Sequence, residues 1–179
     1  ARATGEMPPP PEEAPVPVGM ITTPLFHVTA NNCAAYLITA AGGKIVLMYR
    51  WDAGEALKLV ETEKVTAMSG VPIMARELIN HPDFATTDTS SLQTLGGGGA
   101  QLPPDLVHKI DSSVETARPN TGYGMTETCA QIAANPMHIP TGTYIPIKSV
   151  GKVFPTNQLE IRDEHGRKQG INESGMIWI

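Results

Sequence analysis

Short apolar runs alternate with amphipathic segments along most of the chain, and this alternation predicts its secondary structure. The runs with the length and composition of strands are Met20–Leu25, Lys44–Tyr49, Val65–Met68, Ser91–Leu95 and Val114–Ala117. Segments with helical features lie between them, over 28–41, from 52 onward, 71–80 and 103–112. A strand–helix repeat of this kind predicts an α/β fold with a mostly parallel sheet flanked by helices.

The sequence gives more detail about the second predicted strand and the helix that follows it. Lys44–Tyr49 is almost continuously apolar, which indicates a strand buried on both faces. Asp52 stands in front of the next helix, where its carboxylate can accept hydrogen bonds from the free N–H groups of the first turn.

The two ends of the chain differ in character from its middle. Pro8-Pro9-Pro10-Pro11 cannot form a helix or a central strand, so residues 1–19 are expected to be a proline-rich connector. Residues 20–148 form the expected α/β subdomain. Residues 149–179 alternate short strands with glycine turns and predict the start of a small antiparallel β subdomain. Because the chain opens without Met and stops within the apolar run 177–179, we expect it to be a piece of a longer protein.

Composition narrows the class of protein. The 179 residues are 41% hydrophobic and their mean hydropathy is −0.12, as in soluble globular proteins. The net charge of −5 and the absence of any Lys/Arg-rich run argue against a nucleic-acid partner. No apolar stretch is long enough to span a bilayer, and no signal segment opens the chain. Cys33 and Cys129 lack metal-ligand spacing and are expected to be free thiols in a reducing cytoplasm.

Two glycine-bearing loops follow successive predicted strands. Gly96–Gly99, followed by Ala100, form a wall without side chains, against which a ligand could lie directly on the backbone. The segment Asn120–Thr128 follows the next strand. Because ligands of parallel sheets bind beyond the carboxyl ends of the strands, the two loops are expected to form one site. An unliganded flexible turn is the alternative for the glycine loop.

The second loop carries groups that suit a magnesium-bound nucleotide. Gly122 and Gly124 are expected to allow a sharp turn, and Tyr123 between them offers a flat face for a base. Thr126 can donate to a phosphate oxygen, and Glu127 can bind a hard cation. A helix beginning near Thr126 would add free N–H groups for an anion. A plain strand-to-helix turn is the competing interpretation.

A histidine and two asparagines surround the start of the first predicted helix. His27 follows Pro24-Leu25-Phe26 and either lines the mouth of a pocket or merely caps the helix. Asn31 and Asn32 interrupt a segment that is otherwise made of small and apolar residues. They indicate that one face of this helix meets something polar.

Six short motifs occur in an order that resembles the acyl-adenylate-forming enzymes, which include acyl-CoA synthetases, firefly-type luciferases and peptide-synthetase adenylation domains. The motifs are Pro24–His27, Gly98–Leu102, Tyr123–Glu127, Ser149–Lys152, Asp163–Arg167 and Glu173–Trp178. The resemblance covers residues from about 20 to the end and is greatest to the fatty-acyl or aryl-CoA ligase branch. It implies that Mg-ATP activates a carboxylic acid as an acyl-adenylate, which is then transferred to coenzyme A.

The resemblance also implies a role for each matching residue. Tyr123 would stack on adenine, Gly98, Gly99 and Ala100 would line the adenine and acyl side, and Thr121, Gly122 and Gly124 would form the floor of the nucleotide site. Thr126 would contact phosphate, Glu127 would bind magnesium, and His27 would lie beside the substrate carboxylate.

Some parts of the family pattern are different or missing. Gln101 stands where proline is usual, and Thr121 stands where glutamine is frequent. The family's phosphate loop, its ribose-binding aspartate and its lysine-bearing C-terminal domain do not occur in this chain. We therefore expect the chain to be the middle of a large N-terminal domain and to be inactive alone.

The sequence leaves open the identity of the carboxylic acid and of the acyl acceptor. The uncharged glycines at 96–99 favour an apolar acid, fatty or aromatic, over an amino acid. An adenylation domain that loads a carrier protein and a non-enzymatic nucleotide-binding module are the alternatives. The sequence also leaves a homodimer open.

Overall fold

The computed structural model describes residues 16–114, 116–134 and 149–179. Most of the expected proline-rich connector lies outside these ranges, and the first strand begins at Val18. The strands are β1 (Val18–Ile21), β2 (Lys44–Leu47), β3 (Ala67–Gly70), β4 (Thr94–Gly97), β5 (Arg118–Asn120), β6 (Gly122–Met125), β7 (Ala130–Ala134), β8 (Lys152–Val153), β9 (Glu160–Arg162) and β10 (Met176–Trp178). The α-helices are α1 (Val28–Ala30), α2 (Tyr36–Ala40), α3 (Ala53–Glu63), α4 (Pro72–Asn80) and α5 (Pro104–Ser113).

The first five strands form one parallel sheet in the order β2-β1-β3-β4-β5, which confirms the predicted α/β class. β1 to β4 overlap their predicted ranges, whereas β5 shares no residue with its prediction. Val114–Ala117 was expected to be a strand, but β5 follows it at Arg118–Asn120. Val114 caps the end of α5, and both Val114 and Ala117 are buried. They are apolar because they pack in the core between α5 and the sheet, without belonging to the strand ladder.

The expectation that Lys44–Tyr49 is buried on both faces is wrong. Within the described residues β2 pairs only with β1 and forms an edge of the sheet. Val46 is buried in the core, whereas Lys44 and Leu47 are exposed. An apolar run therefore indicated a strand correctly, but it did not distinguish an edge strand from a central one.

Three helices cover one face of the sheet. Met20, Met68 and Leu95 stand side by side on three adjacent strands and point to this face. They pack in one apolar cluster with buried residues of α3, α4 and α5, namely Ala56, Leu57, Val60, Ala75, Leu78, Ile79, Leu106 and Ile110. Burial of these side chains supplies the main hydrophobic stabilisation of the α/β unit.

A single helical segment covers β1 on the other face. It consists of α1, a π-helical turn over Asn31–Ala35 and α2, which follow one another without a break. Ile21 packs there against Ala30 and Ala34. Gly19 allows this close packing, since a Cβ at that position would lie 2.0 Å from Cδ1 of Ile38.

Two small antiparallel sheets complete the described structure. β6, β7 and β8 form a three-stranded sheet, and β9 pairs with β10. The predicted antiparallel β character of the C-terminal part is thereby confirmed. In the second sheet the Arg162 guanidinium lies 4.8 Å from the ring centroid of Trp178, a cation–π geometry. No helix in the described ranges is both long and apolar enough to cross a bilayer.

The predicted cap of α3 yields a test of how this helix is stabilised. Asp52 Oδ1 accepts a hydrogen bond of 2.9 Å from the Glu55 backbone N–H, and this contact lowers the pKa of the Asp52 carboxyl. A lowered pKa means that the stabilisation is complete above about pH 4 and is lost as the pH falls through the folded-state value. We expect Asp52→Ala to lower the melting temperature by a few degrees at pH 7.

Thermal unfolding of wild type and Asp52→Ala followed by circular dichroism between pH 7 and pH 2.5 checks this prediction. The difference in melting temperature should shrink as the carboxyl becomes protonated. A difference that stays constant down to pH 2.5 would contradict a role for the ionised cap.

Candidate active site

The two glycine-bearing loops leave the same edge of the parallel sheet. β4 and β5 are adjacent and parallel, with Leu95 opposite Pro119 and Gly96 opposite Asn120. The chain leaves β4 after Gly97 and leaves β5 after Asn120, so the two exits are neighbours. The expectation that both loops open on one edge is therefore confirmed.

The loop after β4 has a backbone that side chains do not cover at its tip. Gly98 is open, since a Cβ there would meet no atom within 4 Å, and Gly99 has a φ of +76°, which favours glycine. Gly97 has a different role. A Cβ on Gly97 would lie 1.6 Å from the carbonyl oxygen of Gly70 on β3, so glycine allows the two strands to approach. Ala100 follows and is exposed.

The loop after β5 contains only Thr121 before the chain enters β6. Gly122 and Gly124 do not make the sharp turn that was expected, because both lie in the extended strand β6. Glycine is needed there for close approach. A Cβ on Gly122 would lie 1.7 Å from Nε2 of Gln131, and one on Gly124 would lie 2.2 Å from the Ala130 carbonyl oxygen.

Tyr123 lies in β6 between these two glycines and is half-buried. It pairs with Ala133 of β7, and the register shifts by a β-bulge between Tyr123 and Gly124. β-Bulges re-aim side chains and are frequent beside active sites. Within β6 the neighbour of Tyr123 on the same face of the strand is Met125, because adjacent side chains of a strand point to opposite faces.

Thr126 and Glu127 lie in a tight turn and not at the start of a long helix. The expected helix is wrong: a single 3-10 turn, Thr126–Thr128, joins β6 to β7. Thr128 Oγ1 accepts from the Met125 N–H at 3.1 Å, and the Cys129 N–H donates to the Thr126 carbonyl at 3.0 Å. Cys129 has a φ of +57°, which reverses the chain into β7. The site therefore offers side chains here and not a helix N-terminus.

Thr126 and Glu127 are both exposed. Glu127 has no ion-pair partner among the described residues, so its carboxylate is available to a cation. No group of three or more His, Cys, Asp or Glu side chains in the described ranges could hold a metal by itself. One carboxylate fits Mg²⁺ that is bound mainly by substrate phosphates and water.

His27 is both the cap of α1 and an exposed side chain, six residues beyond the end of β1. Its Nδ1 accepts a hydrogen bond of 3.1 Å from the Thr29 N–H, as a capping acceptor of α1. Because Nδ1 acts as the acceptor, the neutral ring carries its proton on Nε2. Nε2–H is therefore the atom that His27 can offer to a ligand. β1 is adjacent to β3, and β3 is adjacent to β4, in the same parallel sheet. The chain therefore leaves β1 toward His27 at the same edge of the sheet from which the two loops leave β4 and β5.

The helical segment after His27 contacts the turn that carries Glu127. Asn32 Nδ2 donates a 2.7 Å hydrogen bond to the carbonyl oxygen of Cys129, two residues beyond Glu127. This contact is the polar partner of Asn32, whereas Asn31 Nδ2 reaches the Tyr36 hydroxyl within its own helical segment. The sequence did not single out Gln131, whose amide lies over Gly122. The alternating pattern of a strand is the only signal around it.

The two cysteines are free thiols, as expected. Burial raises the pKa of the Cys33 thiol, and a backbone hydrogen bond from Gln131 acts in the opposite direction. Cys33 is therefore packed beside β7, the strand that follows the Thr126–Thr128 turn.

Comparison with known proteins agrees with this geometry. Residues 5–179 match the family described as AMP-binding enzyme. A feruloyl-CoA synthase from Amycolatopsis sp is 38% identical over 109 residues, which are 60% of this chain and 22% of that protein. The 4-coumarate–CoA ligase 3 of Oryza sativa subsp. japonica is 30% identical over 163 residues, 87% of this chain and 28% of that protein. The chain thus spans less than a third of the length of these curated relatives.

A solved structure supports the fold. The O-succinylbenzoate coenzyme A synthetase of Bacillus subtilis, in complex with AMP, superimposes with a TM-score of 0.73 at 24% sequence identity. The match covers 93% of this chain and 40% of that one. With a family match over almost its whole length, the chain belongs to the AMP-binding enzyme family.

Proposed function

We propose that the protein to which this chain belongs is an AMP-forming acid–thiol ligase, which activates a carboxylic acid with ATP and transfers the acyl group to coenzyme A. The observation that carries the proposal is the in-register pairing of β4 with β5, which makes the Gly98–Ala100 loop and the Thr121–Gly124 segment neighbours. The family membership and the CoA ligases among the relatives support it.

In the proposed mechanism the glycine loops hold the nucleotide. The ring of Tyr123 stacks on adenine, since an aromatic face suits a base and the side chain is only half-buried. Gly98, Gly99 and Ala100 line the adenine and acyl side, where Gly98 has open space around its α-carbon. Thr121, Gly122 and Gly124 provide the floor, on backbone that packs against β7.

The Thr126–Thr128 turn binds the phosphates and the metal. Thr126 donates its hydroxyl proton to a phosphate oxygen, and Glu127 supplies the carboxylate ligand for Mg²⁺. The magnesium ion, when bound, neutralises charge on the phosphates during the displacement. The exposed carboxylate of Glu127, which has no ion-pair partner among the described residues, and the short turn around it fit a metal that is shared with substrate.

His27 is proposed to orient the acid. Its Nε2–H donates to one carboxylate oxygen, while the other attacks the α-phosphorus of ATP and pyrophosphate leaves. In the second half-reaction the thiolate of coenzyme A attacks the acyl carbonyl carbon, and AMP leaves with the bond electrons. Positioning the two reactants in this way replaces an improbable encounter in solution.

The proposed substrate is an aromatic carboxylic acid. The names of the relatives refer to ferulate and 4-coumarate, and that of the solved structure to O-succinylbenzoate, all of which contain a benzene ring. The loop after β4 carries no charge, and Gly98 leaves free space that a flat ring could occupy. Fatty acids, which the sequence left open, are the comparison class.

A substrate panel on the full-length protein tests the proposal. With hydroxycinnamates, benzoates and fatty acids of 8 to 16 carbons, we expect ATP–pyrophosphate exchange to be at least tenfold faster with the best aromatic acid than with any fatty acid. Omitting the acid is the control. Exchange that is faster with fatty acids would contradict the aromatic assignment, and no exchange with any acid would contradict the ligase.

The acceptor is tested in the same preparation. Formation of an acyl-CoA, followed by mass spectrometry, distinguishes a ligase from an adenylation domain that loads a carrier protein. Nucleotide binding that is unaffected by magnesium, without any exchange, would favour a binding module. We also propose the reducing cytosol as the compartment, which the free thiols support, and light scattering of the purified protein tests a homodimer.

A further inference from the structure

One contact joins the two halves of the candidate site. The helical segment that His27 caps contains a π-helical turn at Asn31–Ala35, and π-turns are rare and often lie at functional sites. From this turn Asn32 reaches the Cys129 carbonyl with a hydrogen bond of 2.7 Å across 97 positions of sequence. The same turn places Cys33 beside Gln131.

The accepting carbonyl belongs to a residue with an unfavourable backbone conformation. Cys129 has a φ of +57°, in the left-handed region that non-glycine residues seldom adopt. Its N–H closes the turn by donating to the Thr126 carbonyl at 3.0 Å. An external donor on the Cys129 carbonyl therefore stabilises a conformation that the side chain alone disfavours. The orientation of Thr126 and Glu127 depends on this conformation, because Cys129 forms the end of their turn.

We propose that Asn32 is a positioning residue, which fixes the Thr126–Glu127 turn relative to the helix that begins at His27. This inference rests on the proposed function, in which His27 holds the acid and Glu127 holds magnesium. Asn32 touches neither reactant. Its effect is to keep the group that orients the carboxylate and the groups that hold metal and phosphate in one fixed arrangement.

The neighbouring Asn31 provides a matched control. It lies in the same π-turn and has the same side chain, but its Nδ2 reaches the hydroxyl of Tyr36, at 3.4 Å, on the same helical segment. Asn31→Ala therefore removes the same atoms and changes helix propensity by the same amount, but it leaves the contact with Cys129 in place. Any effect specific to Asn32→Ala is then an effect of the contact with Cys129.

The kinetic test uses the full-length protein and compares wild type, Asn31→Ala and Asn32→Ala. We expect Asn32→Ala to raise the half-saturating Mg²⁺ concentration for ATP–pyrophosphate exchange about five- to tenfold, the factor that the loss of one hydrogen bond typically carries. The KM for the carboxylic acid should change less than twofold, since His27 keeps its own cap. Asn31→Ala should match wild type in both quantities.

A second readout does not need activity. Asn32→Ala should accelerate labelling of Cys33 by a thiol reagent about fivefold, because β7 would separate more often from the π-turn. Cys129 accepts the hydrogen bond under test, so the reference is the labelling rate of Cys33 in Asn31→Ala, measured by mass spectrometry under the same conditions.

The outcomes separate this inference from the proposed function. Wild type without exchange would overturn the ligase assignment, and the labelling rates would still decide whether Asn32 holds the turn. If wild type is active and Asn32→Ala has the same magnesium dependence as Asn31→Ala, the positioning role is overturned. An equal change of labelling in both asparagine variants would also overturn it, since it would reflect the helix alone.

Discussion

Replacing Gly97 by alanine is expected to destabilise the protein by about 3 kcal/mol or more, because the added methyl group has no space that relaxation could supply. It would lie 1.6 Å from the carbonyl oxygen of Gly70 and 2.5 Å from its carbonyl carbon. Both atoms are backbone of the adjacent strand β3, which pairs with β4 in register. The methyl group can be accommodated only if the two strands separate, and this would break hydrogen bonds in the middle of the sheet.

Urea unfolding of wild type, Gly97→Ala and Gly98→Ala measures the effect. The second variant is the matched control, because a Cβ on Gly98 meets no atom within 4 Å and the residue has no positive φ. We expect Gly98→Ala to stay within about 0.5 kcal/mol of wild type. Equal unfolding midpoints for the two variants would show that β3 and β4 do not approach as closely as the structure places them.

This comparison also shows what the glycine pattern in the sequence could reveal. Four consecutive glycines indicated a backbone wall, and Gly98 and Gly99 form one. Gly96 and Gly97 instead belong to β4. A glycine selected by close approach and one selected by a left-handed φ look identical in a sequence, since both lack a side chain. The atoms that distinguish them come from β3, more than twenty residues earlier in the chain.

Contacts with distant residues also determine the conformation of the segment Asn120–Thr128. The glycines around Tyr123 were expected to form a sharp turn, but Gly122–Met125 is a further strand and only Thr126–Thr128 is a turn. The helix expected after Thr126 did not form. Thr128 folds its hydroxyl back onto the Met125 N–H, and Cys129 takes a positive φ, so the chain reverses into β7. Two interactions that determine this reversal, the pairing of β7 with β6 and the hydrogen bond from Asn32, involve residues outside the turn. The local sequence of the turn therefore does not predict them.

The parallel direction of the strands was more accessible from the sequence than the position of each strand in the sheet. Alternating strands and helices require parallel pairing with crossovers, and this places successive loops at one edge without any knowledge of side-chain contacts. Whether a strand lies at the edge or in the centre depends on which strands pair with it. Lys44–Leu47 is apolar in composition, but it has β1 as its one neighbour in the described residues, and Leu47 is exposed.

Glu127→Gln in the full-length protein is expected to lower the rate of adenylate formation by about 100-fold or more, while leaving the fold intact. The substitution keeps the shape of the side chain and removes the negative charge that the proposed magnesium ion requires. Glu127 is exposed and forms no ion pair with another described residue, so the loss of charge leaves no buried partner uncompensated. The unfolding midpoint should therefore be unchanged.

ATP–pyrophosphate exchange as a function of Mg²⁺ concentration separates a metal ligand from a general effect of charge. Glu164→Gln removes an equal charge from the exposed turn after β9, where the carboxylate lies 3.7 Å from Nε2 of its neighbour His165. This control should retain the wild-type rate and magnesium dependence. Glu127→Gln should require more magnesium and should remain slow when the ion saturates, because glutamine supplies a weaker neutral oxygen ligand. If both variants turn over at the wild-type rate, Glu127 does not hold the metal, and the magnesium ion must then be held by the phosphates and by residues other than Glu127.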